Sequence, residues 1–192
     1  MSPAPVRVAI VLAAGAGTRF GGDKLAAQFR GKPLIHHAIR AARAAPVSRV
    51  IVVAPPQLEI GEWEAMGPPV EILRIATTAL SDSLKAAMAA AGDTNGAFIF
   101  LGDMPLVPLC AAARLAEALG DSFAALPRYA GAPGHPVLLS RAAFADIARL
   151  EGDQGAGMLI RTRKDIAFLD WPDDTVVLDV DRGEDIKRLE GR

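Results

Sequence analysis

A glycine-rich segment after the first apolar run is the part of this sequence best suited to chemistry. It reads L-A-A-G-A-G-T-R-F-G-G-D-K from Leu12 to Lys24. Glycines let backbone N–H groups approach an anion that side chains would otherwise keep away; here they are Gly15, Gly17, Gly21 and Gly22. Arg19 adds a forked guanidinium and Lys24 a mobile ammonium, which together can neutralise a triphosphate. The segment therefore predicts a loop that binds the phosphates of a nucleotide.

Two well-known phosphate loops fit this segment less well. The dinucleotide fingerprint G-x-G-x-x-G needs a glycine where Phe20 stands, which argues against a nicotinamide or flavin fold. The pattern G-x-x-x-x-G-K-[ST] could begin at Gly17, but its lysine comes one place late, at Lys24. Leu25 then follows in place of a hydroxyl residue that could bind magnesium. The alternative, a strand-to-helix connection that is only flexible, would not need Arg19 and Lys24 as well.

A carboxylate follows a second apolar run. Ala97 to Leu101 predicts a strand, and G-D-M-P follows it from Gly102 to Pro105. Ligands of an open α/β sheet bind beyond the carboxyl ends of its strands, so Asp103 is expected at the same edge as the glycine-rich loop. A single carboxylate there suits a hard divalent cation that takes its other ligands from phosphate oxygens and water. The alternative is that Asp103 caps a helix after Val107.

An acidic segment near the end of the chain offers a second carboxylate for the same ion. Asp179 and Asp181 lie at the end of the last predicted strand, and strand alternation would place both on one face. The alternative is that Asp181 caps the final helix, whose first turn contains Glu184 and Asp185. Asp181 and Asp179 are not distinguished as ligands by sequence alone.

The order of strand-like and helix-like segments that must position these residues predicts an α/β fold with a mostly parallel central sheet. Apolar β-branched runs alternate with alanine-rich segments of helical period, as expected for a sheet covered by helices on both faces. The predicted strands are Arg7–Leu12, Arg49–Ala54, Val70–Ile75, Ala97–Leu101, Phe123–Leu126, Pro136–Leu139, Ile166–Leu169 and Thr175–Val180, with the first, second and fourth at the centre. Helices are predicted from about Lys32 to Ala45, from an N-cap at Ser81 to Ala91, and from an N-cap at Ser140 to Leu150.

Composition bounds the class of protein. With 192 residues and 51% hydrophobic residues, the chain is expected to form a single domain spanning residues 1–192. The formal net charge is −1 and no run of five like charges occurs, so neither nucleic acid nor a membrane is expected as a partner. The apolar stretch Val8–Ala14 is far shorter than the roughly 20 residues of a membrane span. Cys110, expected to be buried, excludes an internal disulfide, and a cytoplasmic location is predicted.

The motifs together resemble the molybdenum cofactor cytidylyltransferase branch of the nucleotidyltransferase superfamily, a group that also contains molybdopterin guanylyltransferase. The resemblance covers nearly the whole chain and implies a three-layer, Rossmann-like nucleotidyltransferase fold. It rests on L-A-A-G at Leu12–Gly15, S-D-S-L at Ser81–Leu84, G-D-M-P-L-V at Gly102–Val107, G-H-P-V-L-L-S-R at Gly134–Arg141, G-D-Q-G-A at Gly152–Ala156 and the closing acidic segment at Asp179–Asp185.

Roles for individual residues follow from this resemblance. It implies nucleotide contacts from Leu12, Ala13, Ala14, Gly15, Gly17, Ser83 and Asp103. Arg19 and Lys24 would bind the triphosphate, and Asp103 would hold Mg²⁺. These three are therefore the expected catalytic residues. Asp181 is the expected second metal ligand. The acceptor would be faced by Gly134, His135, Pro136 and Asp153, although His135 could equally be a polar loop residue. Gly157 departs from the branch, which generally has arginine there.

The implied reaction moves CMP from CTP to the terminal phosphate of a molybdopterin precursor and releases pyrophosphate. Because the phosphate oxygen of the acceptor is already ionised, neither a serine nucleophile nor a strong general base is needed. Two alternatives remain open at this stage: transfer to another phosphorylated acceptor, such as a sugar or polyol phosphate, and a non-catalytic chaperone that binds the cofactor. The resemblance also implies a molybdoenzyme or its chaperone as a protein partner.

Overall fold

The computed structural model describes residues 6–14, 20, 23–63, 65–77 and 79–192. The strands are β1 (Arg7–Leu12), β2 (Gln28–Phe29), β3 (Lys32–Pro33), β4 (Val50–Ala54), β5 (Val70–Arg74), β6 (Gly96–Leu101), β7 (Ala124–Tyr129), β8 (Ala132–Pro133), β9 (Val137–Ser140) and β10 (Ile166–Asp170). The α-helices are α1 (Leu34–Arg43), α2 (Leu80–Ala91), α3 (Ala111–Ala118), α4 (Phe144–Ile147), α5 (Ala156–Arg161) and α6 (Gly183–Glu190).

A mostly parallel sheet forms the centre of the fold, as the sequence predicts. Within the described residues its strand order is β10-β7-β9-β6-β1-β4-β5, with β8 paired to β7. β1 pairs in parallel with both β4 and β6, and β4 pairs in parallel with β5. β9 is antiparallel to β6 and β7, while β10 is parallel to β7. The three strands predicted to be central, β1, β4 and β6, do lie side by side.

Helices cover both faces of this sheet, which gives the three layers of the fold. Successive residues of β1 enter opposite faces: Ala9 and Val11 pack in one apolar cluster, and Val8 and Ile10 in the other. α1 buries an apolar stripe on the first face. α2 buries Leu84 and Ala87 on the second face. Strands buried on both sides must be continuously apolar, which explains why the sequence identifies them so clearly.

The last predicted strand, over Thr175–Val180, is wrong. Its first part is a 3₁₀ turn at Asp174–Val176, which Asp173 starts by accepting a hydrogen bond from the Thr175 N–H at 3.1 Å. The remaining residues join no ladder, and the Val180 N–H instead donates to the carbonyl of Asp103 at 3.0 Å. A local side-chain cap and one tertiary bond therefore override the strand preference of the β-branched residues.

Several predicted helix boundaries also differ from the structure. α1 begins at Leu34, because Lys32 and Pro33 pair with β2 instead. Ser81 lies inside α2, whose N-cap is Ala79. Ser140 precedes a 3₁₀ turn followed by the short α4, which ends at Ile147 rather than Leu150. Cys110 is exposed at the N-cap of α3, so its predicted burial is wrong.

No helix in the described part of the chain is long and apolar enough to cross a membrane.

Candidate active site

The ends of β1 and β6 meet at one edge of the sheet, which is where the sequence places its candidate residues. Leu12 and Leu101 are register partners, and the Gly102 N–H donates to the Leu12 carbonyl at 2.9 Å. A Cβ on Gly102 would lie 3.2 Å from that carbonyl oxygen. Glycine at this position thus lets the segment that carries Asp103 run directly beside the start of the glycine-rich loop.

A lysine and two carboxylates converge at this edge. Lys24 begins a short 3₁₀ turn at Lys24–Ala26, for which Asp23 is the N-cap. Its Nζ donates to Oδ2 of Asp103 at 2.7 Å and lies 3.8 Å from Oδ1 of Asp181. The Lys24 side chain is only 13% exposed and that of Asp103 23%. Pairs sheltered to this degree interact more strongly than ion pairs in open solvent.

The segment that delivers Asp181 is held by main-chain bonds. The Val180 N–H donates to the Asp103 carbonyl, as described above. The N–H groups of Asp181 and Arg182 donate to Oδ2 of Asp185 at 3.0 and 2.8 Å. Arg182, rather than Asp181, is therefore the N-cap of α6, and the Asp181 carboxylate is directed to Lys24. Asp103 likewise does not cap α3, whose N-cap is Cys110.

A third carboxylate adds to the negative charge around Lys24. Partial burial raises the pKa of Asp179, and the charges of Asp181 and Asp103 raise it further, against an opposing effect of Lys24. Among the described residues no three His, Cys, Asp or Glu side chains are spaced to enclose a metal ion. Asp103 and Asp181 nevertheless fit Mg²⁺, because this cation is commonly bound through one or two carboxylates with phosphate and water oxygens.

A histidine lies beside the strand that carries Asp103. His135 Nδ1 lies 3.2 Å from the carbonyl oxygen of Ile99 in β6, so this nitrogen carries the proton and Nε2 is left as an acceptor. Burial lowers the pKa of His135, which the Ile99 bond and the Asp103 charge oppose. The imidazole is therefore neutral at pH 7 and can accept a hydrogen bond but cannot supply a positive charge.

The main chain around His135 is packed against the turn at Asp174–Val176. The His135 N–H donates to the Val176 carbonyl at 2.8 Å, and the Gly134 N–H to that of Pro127 at 2.8 Å. A Cβ on Gly134 would lie 2.3 Å from the Val176 oxygen, far inside contact distance. Pro136 is buried directly after this contact. Gly134 thus permits the approach that joins the His135 segment to the segment carrying Asp181.

The remaining predicted residues directly follow β1 or lie in and beside α2. Ala13 and Ala14 are buried, and Ser83 is buried in the first turn of α2 with its hydroxyl donating to Ala79. Ser81 is fully buried, and its Oγ makes no hydrogen bond with the residues that the structure describes; the sequence predicted it only as an N-cap. Its N–H bonds to the Gly152 carbonyl at 3.1 Å, which ties the loop of the exposed Asp153 to α2.

Three residues of the predicted phosphate loop, Gly15, Gly17 and Arg19, lie outside the described residues. The described parts of that segment are its first residues, Leu12 to Ala14, together with Phe20, and its end at Asp23 and Lys24.

Fold and site together define a three-layer α/β protein with a lysine–carboxylate cluster at the carboxyl edge of its central parallel strands. Residues 9–167 match the profile of the MobA-like NTP transferase domain. The chain belongs to this family.

Two curated relatives match part of the chain. The 2-C-methyl-D-erythritol 4-phosphate cytidylyltransferase of Dechloromonas aromatica is 35% identical over 133 residues, which cover 64% of this chain and 57% of that protein. A probable molybdenum cofactor guanylyltransferase of Thermococcus sibiricus is 31% identical over 100 residues, covering 52% and 49%. The matched part of the chain thus spans about half the length of each relative.

Solved structures match over almost the whole length. Rv0371c of Mycobacterium tuberculosis superimposes with a TM-score of 0.82 at 27% identity, covering 97% of this chain and 99% of that one. The same protein in complex with manganese gives a TM-score of 0.78, with 97% and 98% coverage at 27% identity.

Gly134→Ala is expected to destabilise the fold. The added methyl would meet main-chain atoms that no rotamer change can move, so the segment around Val176 must shift, at a cost of about 1–3 kcal/mol. Urea unfolding should show a lower midpoint. The matched control is Gly157→Ala in α5, where nothing lies within 4 Å of an added Cβ. Alanine is favoured over glycine in helices by roughly 1 kcal/mol, so this variant should be at least as stable as wild type. Equal losses in both variants would contradict the close approach.

Asp179→Asn is expected to raise stability increasingly as pH rises. Because the pKa of Asp179 is raised in the folded protein, the folded state binds this proton more tightly than the unfolded chain does. The stability that this gives wild type is fully present below the unfolded-state pKa of about 3.9 and is lost as the pH rises through the folded-state pKa. The free energy of unfolding of the variant minus that of wild type, from urea titrations, should therefore grow from acid to neutral pH.

Asp165→Asn provides a control of opposite sign, because the hydrogen bond from Arg163 lowers the pKa of Asp165. Its contribution is present above the unfolded-state pKa and lost as pH falls through the folded-state pKa. This variant should therefore lose stability relative to wild type at neutral pH and recover in acid. Parallel pH profiles for the two variants would refute the charge assignment at Asp179.

Proposed function

We propose that this protein is a nucleotidyltransferase that moves CMP from CTP to the terminal phosphate of a molybdopterin precursor, releasing pyrophosphate. The observation that carries the proposal is the cluster of Lys24, Asp103 and Asp181 at the edge where β1 enters the glycine-rich segment. Membership of the MobA-like family supports nucleotidyl transfer. The curated relatives, a cytidylyltransferase and a molybdenum cofactor guanylyltransferase by name, support CTP and the cofactor separately.

The chemistry asks for alignment and charge neutralisation rather than for a protein nucleophile. An ionised phosphate oxygen of the acceptor forms a bond to the α-phosphorus of CTP, and the bond from that phosphorus to the β-phosphate bridging oxygen breaks. The bonding pair leaves with pyrophosphate, so no proton transfer is required. Preorganised cations stabilise the charge that spreads over the equatorial oxygens and the leaving group. The Lys24 ammonium is such a cation, and its contacts to Asp103 and Asp181 hold it in place.

Asp103 and Asp181 would hold the divalent cation of this reaction. A bound Mg²⁺ or Mn²⁺ supplies charge neutralisation and orientation for the phosphates. The M. tuberculosis structural relative in complex with manganese supports this role. Asp179 adds negative charge next to the same two carboxylates, which favours a cation there. In the absence of such an ion, Lys24 neutralises part of that charge through its contacts to Asp103 and Asp181.

The acceptor is proposed to lie against the segment Gly134 to Pro136, with Asp153 at the rim. His135 is neutral and fixed through Nδ1 to β6, so its Nε2 is positioned as a hydrogen-bond acceptor. A hydroxyl or amino group of the acceptor suits that nitrogen, whereas its phosphate does not. The acceptor phosphate would instead be neutralised from the Lys24 side of the site.

A second candidate is transfer of CMP to a sugar or polyol phosphate. It is favoured by the 35% identity to 2-C-methyl-D-erythritol 4-phosphate cytidylyltransferase. It is also favoured by Gly157, since glycine offers no guanidinium to an anionic pterin phosphate where the molybdenum cofactor branch generally has arginine.

Lys24→Ala is expected to lower kcat by about 10²- to 10³-fold, the usual cost of removing one preorganised electrostatic donor. Asp103→Asn should abolish divalent-dependent turnover, because the neutral amide lacks the negative charge that would hold the cation. Both are measured as pyrophosphate release with CTP and acceptor, with circular dichroism to confirm folding. Lys164 is exposed and makes no hydrogen bond or ion pair with the described residues, so Lys164→Ala is the control and should keep wild-type turnover. Wild-type rates in folded Lys24→Ala would overturn the role of this lysine.

Substrate choice is tested by pairing CTP, GTP, ATP and UTP with purified molybdopterin cofactor or with methylerythritol phosphate. We expect pyrophosphate release to be fastest with CTP and molybdopterin. Faster release with methylerythritol phosphate would establish the second candidate, and faster release with GTP would refute the cytidylyl assignment. Binding of nucleotide without pyrophosphate release under any pairing would refute an enzymatic role.

A further inference from the structure

The last helix, α6, begins one residue later than its sequence favours. Aspartate is among the preferred N-cap residues, and Asp181 is followed three residues later by Glu184, which is the spacing of a capping box. The observed N-cap is instead Arg182, whose backbone is extended with φ −136° and ψ 160°. Arginine is not among the residues preferred at this position. Another interaction must therefore shift the start of the helix away from Asp181.

Asp185 supplies this interaction from the first turn of α6. Its Oδ2 accepts hydrogen bonds from the N–H groups of both Asp181 and Arg182, at 3.0 and 2.8 Å. Because the Arg182 N–H is bound in this way, Arg182 takes the N-cap position and Asp185 is the third residue of the helix. Glu184, which would be the third residue if Asp181 were the cap, is exposed, with its carboxylate 3.9 Å from the Arg182 guanidinium.

The Asp185 carboxylate is itself held in one orientation. Arg188 Nη2 donates to its other oxygen, Oδ1, at 2.9 Å, and the Asp185 side chain is only 18% exposed. At the other end of α6, Leu189 is buried and the Arg30 N–H donates to Oε1 of Glu190 at 3.0 Å. The helix is thus anchored to the rest of the fold, so the hydrogen bonds that Asp185 accepts set the position of the main chain before α6.

The position of the cap decides where the Asp181 carboxylate lies. An N-cap aspartate uses its carboxylate to accept hydrogen bonds from N–H groups of its own helix. Here the Asp181 carboxylate extends to the site instead, where its Oδ1 lies 3.8 Å from Nζ of Lys24. The preceding residue, Val180, donates its N–H to the Asp103 carbonyl, which keeps the two aspartate segments side by side.

We infer that Asp185 is a positioning residue for the metal site: by accepting the N–H groups of Asp181 and Arg182, it keeps Asp181 out of the helix cap and beside Asp103. Groups outside the coordination shell of a metal commonly act in this way, by orienting the ligands. This role rests on the proposed function, which supplies the metal site. Asp185 itself touches neither the metal nor the substrates in this assignment.

The test measures binding of Mn²⁺ alone to the full chain by electron paramagnetic resonance, which counts the free ion and needs no turnover. In Asp185→Ala the start of α6 can move to Asp181, so the dissociation constant for Mn²⁺ should rise by about 10- to 100-fold. In Asp185→Asn the amide oxygen can still accept both N–H groups, so this conservative variant should stay close to wild type. Circular dichroism and urea unfolding establish that each variant is folded at the temperature of the titration.

Glu184→Ala is the matched control, because it removes the same charge one residue away and, among the described residues, no hydrogen bond to the main chain. Its Mn²⁺ affinity should stay close to wild type. Asp181→Asn and Asp181→Asn/Asp185→Ala complete a double-mutant cycle. These two should have the same dissociation constant, because without the Asp181 carboxylate Asp185 has nothing left to position. A merely structural role of Asp185 would instead weaken Mn²⁺ binding equally in both backgrounds.

Three results would overturn the positioning role: wild-type Mn²⁺ affinity in Asp185→Ala, an equal loss of affinity in Glu184→Ala, or equal losses in both backgrounds of the cycle. Absence of Mn²⁺ binding in wild type would overturn the metal site and this role with it. Pyrophosphate release is measured separately. Mn²⁺ binding that depends on Asp185, without release from any substrate pair, would refute the transfer reaction and still support the role of Asp185.

Discussion

The cluster of Lys24, Asp103 and Asp181 depends on three separate parts of the chain that meet at one edge of the sheet. Parallel pairing of β1 with β6 brings the two strand ends side by side, and Gly102 removes the side chain that would hold them apart. Asp181 then completes a cluster in which one ammonium faces more than one carboxylate. Such a cluster is poorly neutralised by itself, and its excess negative charge suits a divalent cation bound together with a polyphosphate.

The C-terminal segment connects the two sides of this site. In this segment the Val176 carbonyl accepts a hydrogen bond from the His135 N–H, and the Val180 N–H donates to the Asp103 carbonyl. Asp185 then accepts hydrogen bonds from the two N–H groups that precede α6. The residues proposed to face the acceptor and those proposed to hold the metal are therefore linked through main-chain bonds rather than through flexible side chains. Main-chain contacts hold the two sides in a defined relative position, and positioning matters because a misplacement of about 1 Å can slow such a reaction by about 10²-fold.

α1 presents two chemically different sides. Its apolar stripe anchors it on the sheet close behind Lys24, while the positions between, His36, His37 and Arg40, line a pocket on its outer side. The helical period of 3.6 residues makes this possible, because it separates the two sets of side chains onto opposite sides of one rod.

The sequence by itself determined the central strands, because strands buried on both faces must be apolar throughout. It identified Lys24 by its place in the glycine-rich segment and Asp103 by its place after β6, whereas it reached Asp181 through a predicted strand that does not form. It could not determine the segment at Thr175–Val180, where an aspartate cap and a bond to Asp103 outweigh β-branched propensity. Nor could it separate Asp181 as a partner of Lys24 from Asp181 as a helix cap. Only the tertiary structure decided that, because the choice depends on Asp185 taking the amide hydrogen bonds and freeing the Asp181 carboxylate for a lysine more than 150 residues away.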